Sequence, residues 1–217
     1  MARCNAKTQF LIALLLALAA AKAVPAQQIQ PAPMGFLYTH LQSFEAKSRF
    51  VPQTPKERFH AYIRNLIGPA TLVTESAAAG IGQALNSPWE WGQGGSGYAK
   101  RFANDMAYNG VRVSLTYLGS SWLHEDDRYF ASEDRRTWPR IRHAVVSVFV
   151  AHKPDGSTVF ASSSVMGIVG ASVISRAWSP DSWQTGSNVL RSMGISVAGT
   201  VGFNLVREFL PDIIRRP

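Results

Sequence analysis

Cysteine is all but missing from this chain: Cys4 is the only one in 217 residues. It stands before the first apolar run, so the chain beyond that run can form neither a disulfide nor a thiolate metal site, and stability has to come from packing. Acidic residues are scarce as well, with 14 Asp and Glu against 22 Lys and Arg and a formal charge of +8. Signatures of chemistry are missing too. No Gly-rich loop leads into Lys and then Ser or Thr in the phosphate-binding register, no Gly-x-Ser-x-Gly occurs, and no ligand spacing suits a metal. Gly94-Gly95-Ser96-Gly97 is a near miss, and Ser147 between His143 and His152 lacks the spacing of a Ser-His arrangement. Nothing here requires a cofactor or assigns a reaction.

What is present first is an address. Arg3 and Lys7 give a basic start, Phe10 to Ala21 is an apolar run, and Val24-Pro25-Ala26 offers small residues for cleavage before Gln27, with Ala21-Lys22-Ala23 as a second site. The run is shorter than the roughly 20 residues of a membrane span, so residues 1–26 read as a signal peptide for export. Its removal takes three basic residues and lowers the charge to +5 over 191 residues, enough chain for one domain with a core. The remaining surplus suits anionic lipid headgroups or an acidic cell-envelope polymer and argues only weakly for nucleic acid. Residues 27–53, with Pro31, Pro33 and Pro52, lack a sustained period and read as an extended leader before a helical domain over 54–217.

Thr54-Pro55-Lys56-Glu57 is a helix start, with a Thr cap, Pro at the first position and Glu three residues on. Phe59, Tyr62, Ile63 and Leu66 follow at i, i+3, i+4 and i+7, with basic residues on other faces, up to Gly68-Pro69. Ala70 to Asn86 and Tyr98 to Leu123 are the next helical segments, separated by a Trp- and Gly-rich loop from Trp89 to Gly97. The β-branched residues from Val145 to Val150 and the Lys153-Pro154-Asp155-Gly156 turn fit a hairpin, but helix, turn, helix is the preferred reading there. Gly156 to Ser175 carries no formal charge, and a last helix runs from about Gly186 to Phe209, stopped by Pro211. A β-barrel would need repeated alternating arms that this chain lacks.

Three of these segments space small residues four apart: Ser76, Gly80 and Ala84; Ser163, Gly167, Ala171 and Ser175; and Gly194, Ala198 and Gly202. At helical period each set forms one edge along which another backbone can approach closely, as in membrane helices and tight bundles. Trp89, Trp91, Trp178 and Trp183 sit in the connecting turns, where they can anchor at a membrane interface. The expected fold is therefore all-α, a multi-helix bundle of small-residue-rich helical hairpins, embedded in a membrane or resting on it.

The strongest polar cluster is His124-Glu125-Asp126-Asp127-Arg128. His124, Glu125 and Asp127 are the candidate catalytic side chains of an envelope hydrolase or metal-dependent enzyme, if Glu75 or Asp105 converges on them. Adjacent residues on a helix or strand point in different directions, which works against that convergence. The phrases Trp91-Gly92-Gln93-Gly94, Leu123-His124-Glu125-Asp126 and Arg207-Glu208-Phe209 resemble uncharacterised exported bacterial proteins of no assigned activity. The small-residue spacing also resembles, loosely, the hairpin helices of Tim17-type translocase subunits. The function expected is a non-enzymatic, membrane-associated protein of the bacterial cell envelope with a structural or binding role. Its expected partners are membrane lipid and a second copy or another envelope protein. On this reading, N-terminal sequencing of the chain recovered from the envelope starts at Gln27; a recovered chain that still carries Cys4 contradicts it.

Overall fold

The computed structural model describes residues 50–214. The expected signal peptide and all but the last four residues of the expected leader lie outside them. Within them the chain is all-α apart from one two-stranded sheet. Helix α1 spans Pro55–Ile67, α2 Pro69–Ala84, α3 Gly94–Leu123, α4 Thr137–Val146, α5 Ser162–Ile174 and α6 Gly186–Ile214. Strands β1 (Val150–His152) and β2 (Thr158–Phe160) form an antiparallel hairpin between α4 and α5.

The start of α1 is the capping box that its sequence calls for. The Glu57 amide donates to the Thr54 hydroxyl, and the Glu57 carboxylate accepts from the Thr54 amide at 2.9 Å; such a cap contributes about 1 kcal/mol. The face behind it docks on α3 through Tyr62, whose ring lies 4.7 Å from that of Tyr117 and whose hydroxyl meets Ser114, while Phe59 and Ile63 stay partly exposed.

Helix α3 is the axis of the domain: α1, α2 and α5 all pack against it, and α6 lies against α4 and α5. It starts at Gly94 rather than at Tyr98, because positive φ angles at Gly92 and Gly94 turn the chain into the helix and Gly97 sits where a Cβ would overlap the Gly92 carbonyl. The closest approach is the seam between α3 and α5. A side chain on Gly167 would strike the Thr116 hydroxyl and the Arg112 carbonyl, and one on Gly119 would strike Ser163 and Met166. Ser163, Gly167, Ala171 and Ser175 are all buried along it.

The other two small-residue lines are placed differently. The α2 contact with α3 lies a step round the helix from Ser76, Gly80 and Ala84, at Ala79 and at Gly82, over which the Arg101 side chain lies; Gly80 has open space beside it. Gly194, Ala198 and Gly202 are exposed, with nothing beside either glycine. Their helix is held from its far side by Ser192, Ser196, Asn204 and Glu208, all hydrogen-bonded to other elements. Residues two apart on a helix are about 200° apart, so a line through Asn204 and one through Gly202 face opposite ways.

Two expectations about local structure change. The helix, turn, helix reading gives way after Val146: a short 3-10 turn leads into β1, the Lys153 to Gly156 turn closes with Gly156 at φ +85°, and the hairpin forms. An antiparallel bridge between His152 and Asp126 fastens it to the segment after α3. Pro211 lies inside α6 instead of ending it. It leaves the Arg207 carbonyl without its helical donor, three residues before the helix ends at Ile214. Replacing Gly167 by Val should cost about 1–3 kcal/mol by overpacking the seam. On the exposed line, Gly194→Ala should instead stabilise by up to about 1 kcal/mol through helix propensity; urea unfolding of both variants checks the contrast.

Candidate functional site

The segment after α3 is where polar side chains gather, and it spreads them over separate tasks. His124 occupies the left-handed C-cap of α3 at φ +55° and is exposed. Glu125 is buried and accepts a 2.8 Å hydrogen bond from the Ser163 amide, satisfying a free N–H in the first turn of α5, where the helix dipole also favours a carboxylate. Asp126 holds Arg128 through two parallel contacts, Nε to Oδ1 at 2.8 Å and Nη2 to Oδ2 at 2.6 Å. Asp127 turns into a cavity and accepts from the Ser164 hydroxyl at 3.1 Å. The expected trio therefore points three ways. Among the described residues no group of three or more His, Cys, Asp or Glu could hold a metal ion, and the structure does not bring Glu75 or Asp105 into this cavity wall.

The cavity measures about 100 Å³ and lies between α3, α5 and α6. Arg112 and Thr116 face it from α3, Ser164 and Ile168 from α5, Thr200 and Arg207 from α6, and Asp127 from the connecting segment. Two guanidinium groups thus meet one carboxylate. Arg112 donates to Asn109 at 3.0 Å. The Arg207 guanidinium makes no hydrogen bond among the described residues, and none of its nitrogens is sealed from water. Asp127 is exposed to the cavity, and the protein around it raises its carboxyl above the ordinary range despite the Ser164 hydrogen bond, because desolvation disfavours the ionised form.

Beside the cavity, Glu208 ties three elements together. Its carboxylate is almost fully buried, accepts from the Tyr129 hydroxyl at 2.5 Å and from the Ser132 amide at 3.1 Å, and pairs with Arg140 Nε at 2.9 Å. Arg140 also donates to the Glu208 carbonyl and to Asp212. Burial, with the Glu208 hydrogen bond, pushes the Tyr129 phenol upward, so Tyr129 is a donor at any ordinary pH. One turn earlier, Asn204 donates to the Ala144 carbonyl at 3.1 Å. The sequence reading ended the last helix at about Phe209 and did not find this network. The signal for it was the line Ser192, Ser196, Thr200, Asn204 and Glu208, polar residues four apart in an otherwise apolar helix.

At the start of α3, Arg101 is buried without a carboxylate in hydrogen-bond contact. Its guanidinium donates to the carbonyls of Ser87, Pro88 and Gly92 at 2.8–3.0 Å and to the Gln83 side chain. The four expected interfacial Trp collect near this region of the domain. Trp91 and Trp183 pack ring to ring at 6.1 Å, Trp178 donates to Asn104, and Trp89 is exposed.

No protein-family model matches the chain, and no curated protein and no solved structure matches it either. The chemistry of the site therefore rests on its geometry alone.

Asp127 gives a pH test. With its folded pKa raised, its contribution to stability is fully present below the unfolded carboxylate value near 4 and is lost as pH rises through the folded value. Asp127→Asn, which keeps a group able to accept from Ser164, should match the parent melting temperature below pH 4 and exceed it at pH 7.5; equal melting curves at both pH values contradict this.

Proposed function

We propose that this chain is an exported, non-enzymatic protein of the cell envelope, a membrane-associated helical bundle that binds rather than transforms its ligand. The observation that carries the reading is the inverted distribution of side chains. The largest fully buried side chains are Arg101, Pro88, Ser163, Ser172 and Ser175, and much of the buried apolar set is alanine. Outward stand Val73, Leu118, Val173, Leu190 and Ile195, each more than half exposed. Water favours the opposite arrangement; a lipid surround tolerates apolar groups outside and requires polar groups to pair within.

Helix α6 supports the same reading. Gly186–Asp212 is long and apolar enough to cross a membrane, and only 6% of its most apolar window is buried. A core helix of a water-soluble domain would pass the composition test but would be covered. Helix α3, at 30 residues, is about 45 Å long, the thickness of a bilayer with its headgroups. Exposed Trp89 precedes its start and exposed Trp122 stands in its last turn, as interfacial aromatic residues would. The basic balance of the chain suits anionic headgroups. The polar cavity beside α6 is then the part with something to bind.

Fractionation of expressing cells, followed by an alkaline carbonate wash, tests the membrane assignment. The chain should stay in the pellet and enter solution only with detergent. Complete release as a soluble monomer overturns it.

A further inference from the structure

We infer that the cavity between α3, α5 and α6 is a receptor for one phosphate group, held chiefly by the guanidinium groups of Arg207 and Arg112. This goes beyond the membrane assignment and does not rest on it.

The first observation is an unused cation. Arg207 is largely surrounded by protein yet makes no hydrogen bond among the described residues, and its nitrogens remain reachable from the cavity. The contrast with the other enclosed arginines is informative. Arg101 spends its donors on four protein oxygens, and Arg140 spends its own on Glu208 and Asp212. A guanidinium brings five N–H donors in a fixed fork; those of Arg207 are open to the cavity, where an anion can take the place of water.

The second observation is charge and shape. Arg112 and Arg207 approach from two different helices, and among the described residues the only carboxylate lining the cavity is Asp127, so that lining carries a net positive charge. Donors that converge from separate directions suit a tetrahedral oxyanion better than a flat carboxylate. Thr116 adds to the lining on the α3 side, with its hydroxyl against Gly167. A volume of about 100 Å³ holds roughly three waters at ~30 Å³ each, or one such anion in their place. Asp127 opposes the anion when ionised. Its Oδ2 accepts from Ser164 on α5, and its charge also acts on Arg207, so it competes with the anion for that guanidinium.

The phosphate can be a free ion or the headgroup of a lipid, and the same titration separates the two. The purified full chain in detergent micelles is titrated calorimetrically with inorganic phosphate and, separately, with dihexanoyl phosphatidic acid. One saturable site per chain is expected. Arg207→Gln should weaken it at least tenfold, and Asp127→Asn, which removes the opposing charge, should tighten it severalfold. Phosphatidic acid binding tenfold more tightly than phosphate assigns the site to a headgroup; equal or weaker binding assigns it to the free ion. Circular dichroism verifies folding of both variants, and if Arg207→Gln does not fold, Asp127→Asn alone decides. No saturable binding of either probe, parent-like affinity in a folded Arg207→Gln chain, or weaker binding in Asp127→Asn overturns the inference. The readout is the same whether carbonate releases the chain or not, so its failure is distinct from failure of the membrane assignment.

Discussion

The seam between α3 and α5 sets the geometry of everything around it. Two backbones meet there because Gly167 lies on the Arg112 carbonyl and the Thr116 side chain, while Gly119 lies on Ser163. Close contact along a line of small residues gains dispersion energy from many weak atom pairs and leaves little room for water. It also fixes the depth at which the next residues stand. Glu125 reaches the Ser163 amide because the end of α3 and the start of α5 are brought together, and the hydroxyls of Tyr108, Ser172 and Ser196 meet across α3, α5 and α6 at 2.7–2.9 Å. The cavity is the space left where α6 cannot follow the same close line.

A second principle runs through the interior: its polar groups are tied to particular partners on other elements. Arg101 gathers carbonyls from the turn ahead of α3, Asn204 holds α4, and Glu208 holds the Tyr129 segment and Arg140. Such contacts gain little net energy when made, but cost a great deal when one partner is lost, so they act on the uniqueness of the packing more than on its total strength. Against that background Arg207, which has the Asp127 charge near it but makes no hydrogen bond among the described residues, stands out as the group with donors to spare.

Much of the architecture was legible in the amino-acid order. The capping box at Thr54 set the first helix boundary, because its physics is local and needs no knowledge of the rest of the chain. The all-α class followed from periodicity. Which small-residue line would be covered did not. Gly194, Ala198 and Gly202 have the same spacing as Ser163, Gly167 and Ala171, and only the competing polar line of Ser192, Ser196, Asn204 and Glu208, on the other side of the helix, decides that α6 turns its glycines away. The hairpin was hidden for a related reason. Three-residue strands carry almost no period, and theirs is closed by a turn and secured by a bridge from His152 to Asp126, a partner distant in sequence. The polar run from His124 to Arg128 was visible as a cluster, but its division into a helix cap, an ion pair and a cavity wall depends on where α5 and α6 come to lie.

Arg101 has one further consequence. Its guanidinium is the peg around which the turn ahead of α3 is wound, since the carbonyls of Ser87, Pro88 and Gly92 and the Gln83 side chain all close on it. Shortening that one side chain would strand three carbonyls at once and loosen the entrance to the longest helix of the domain.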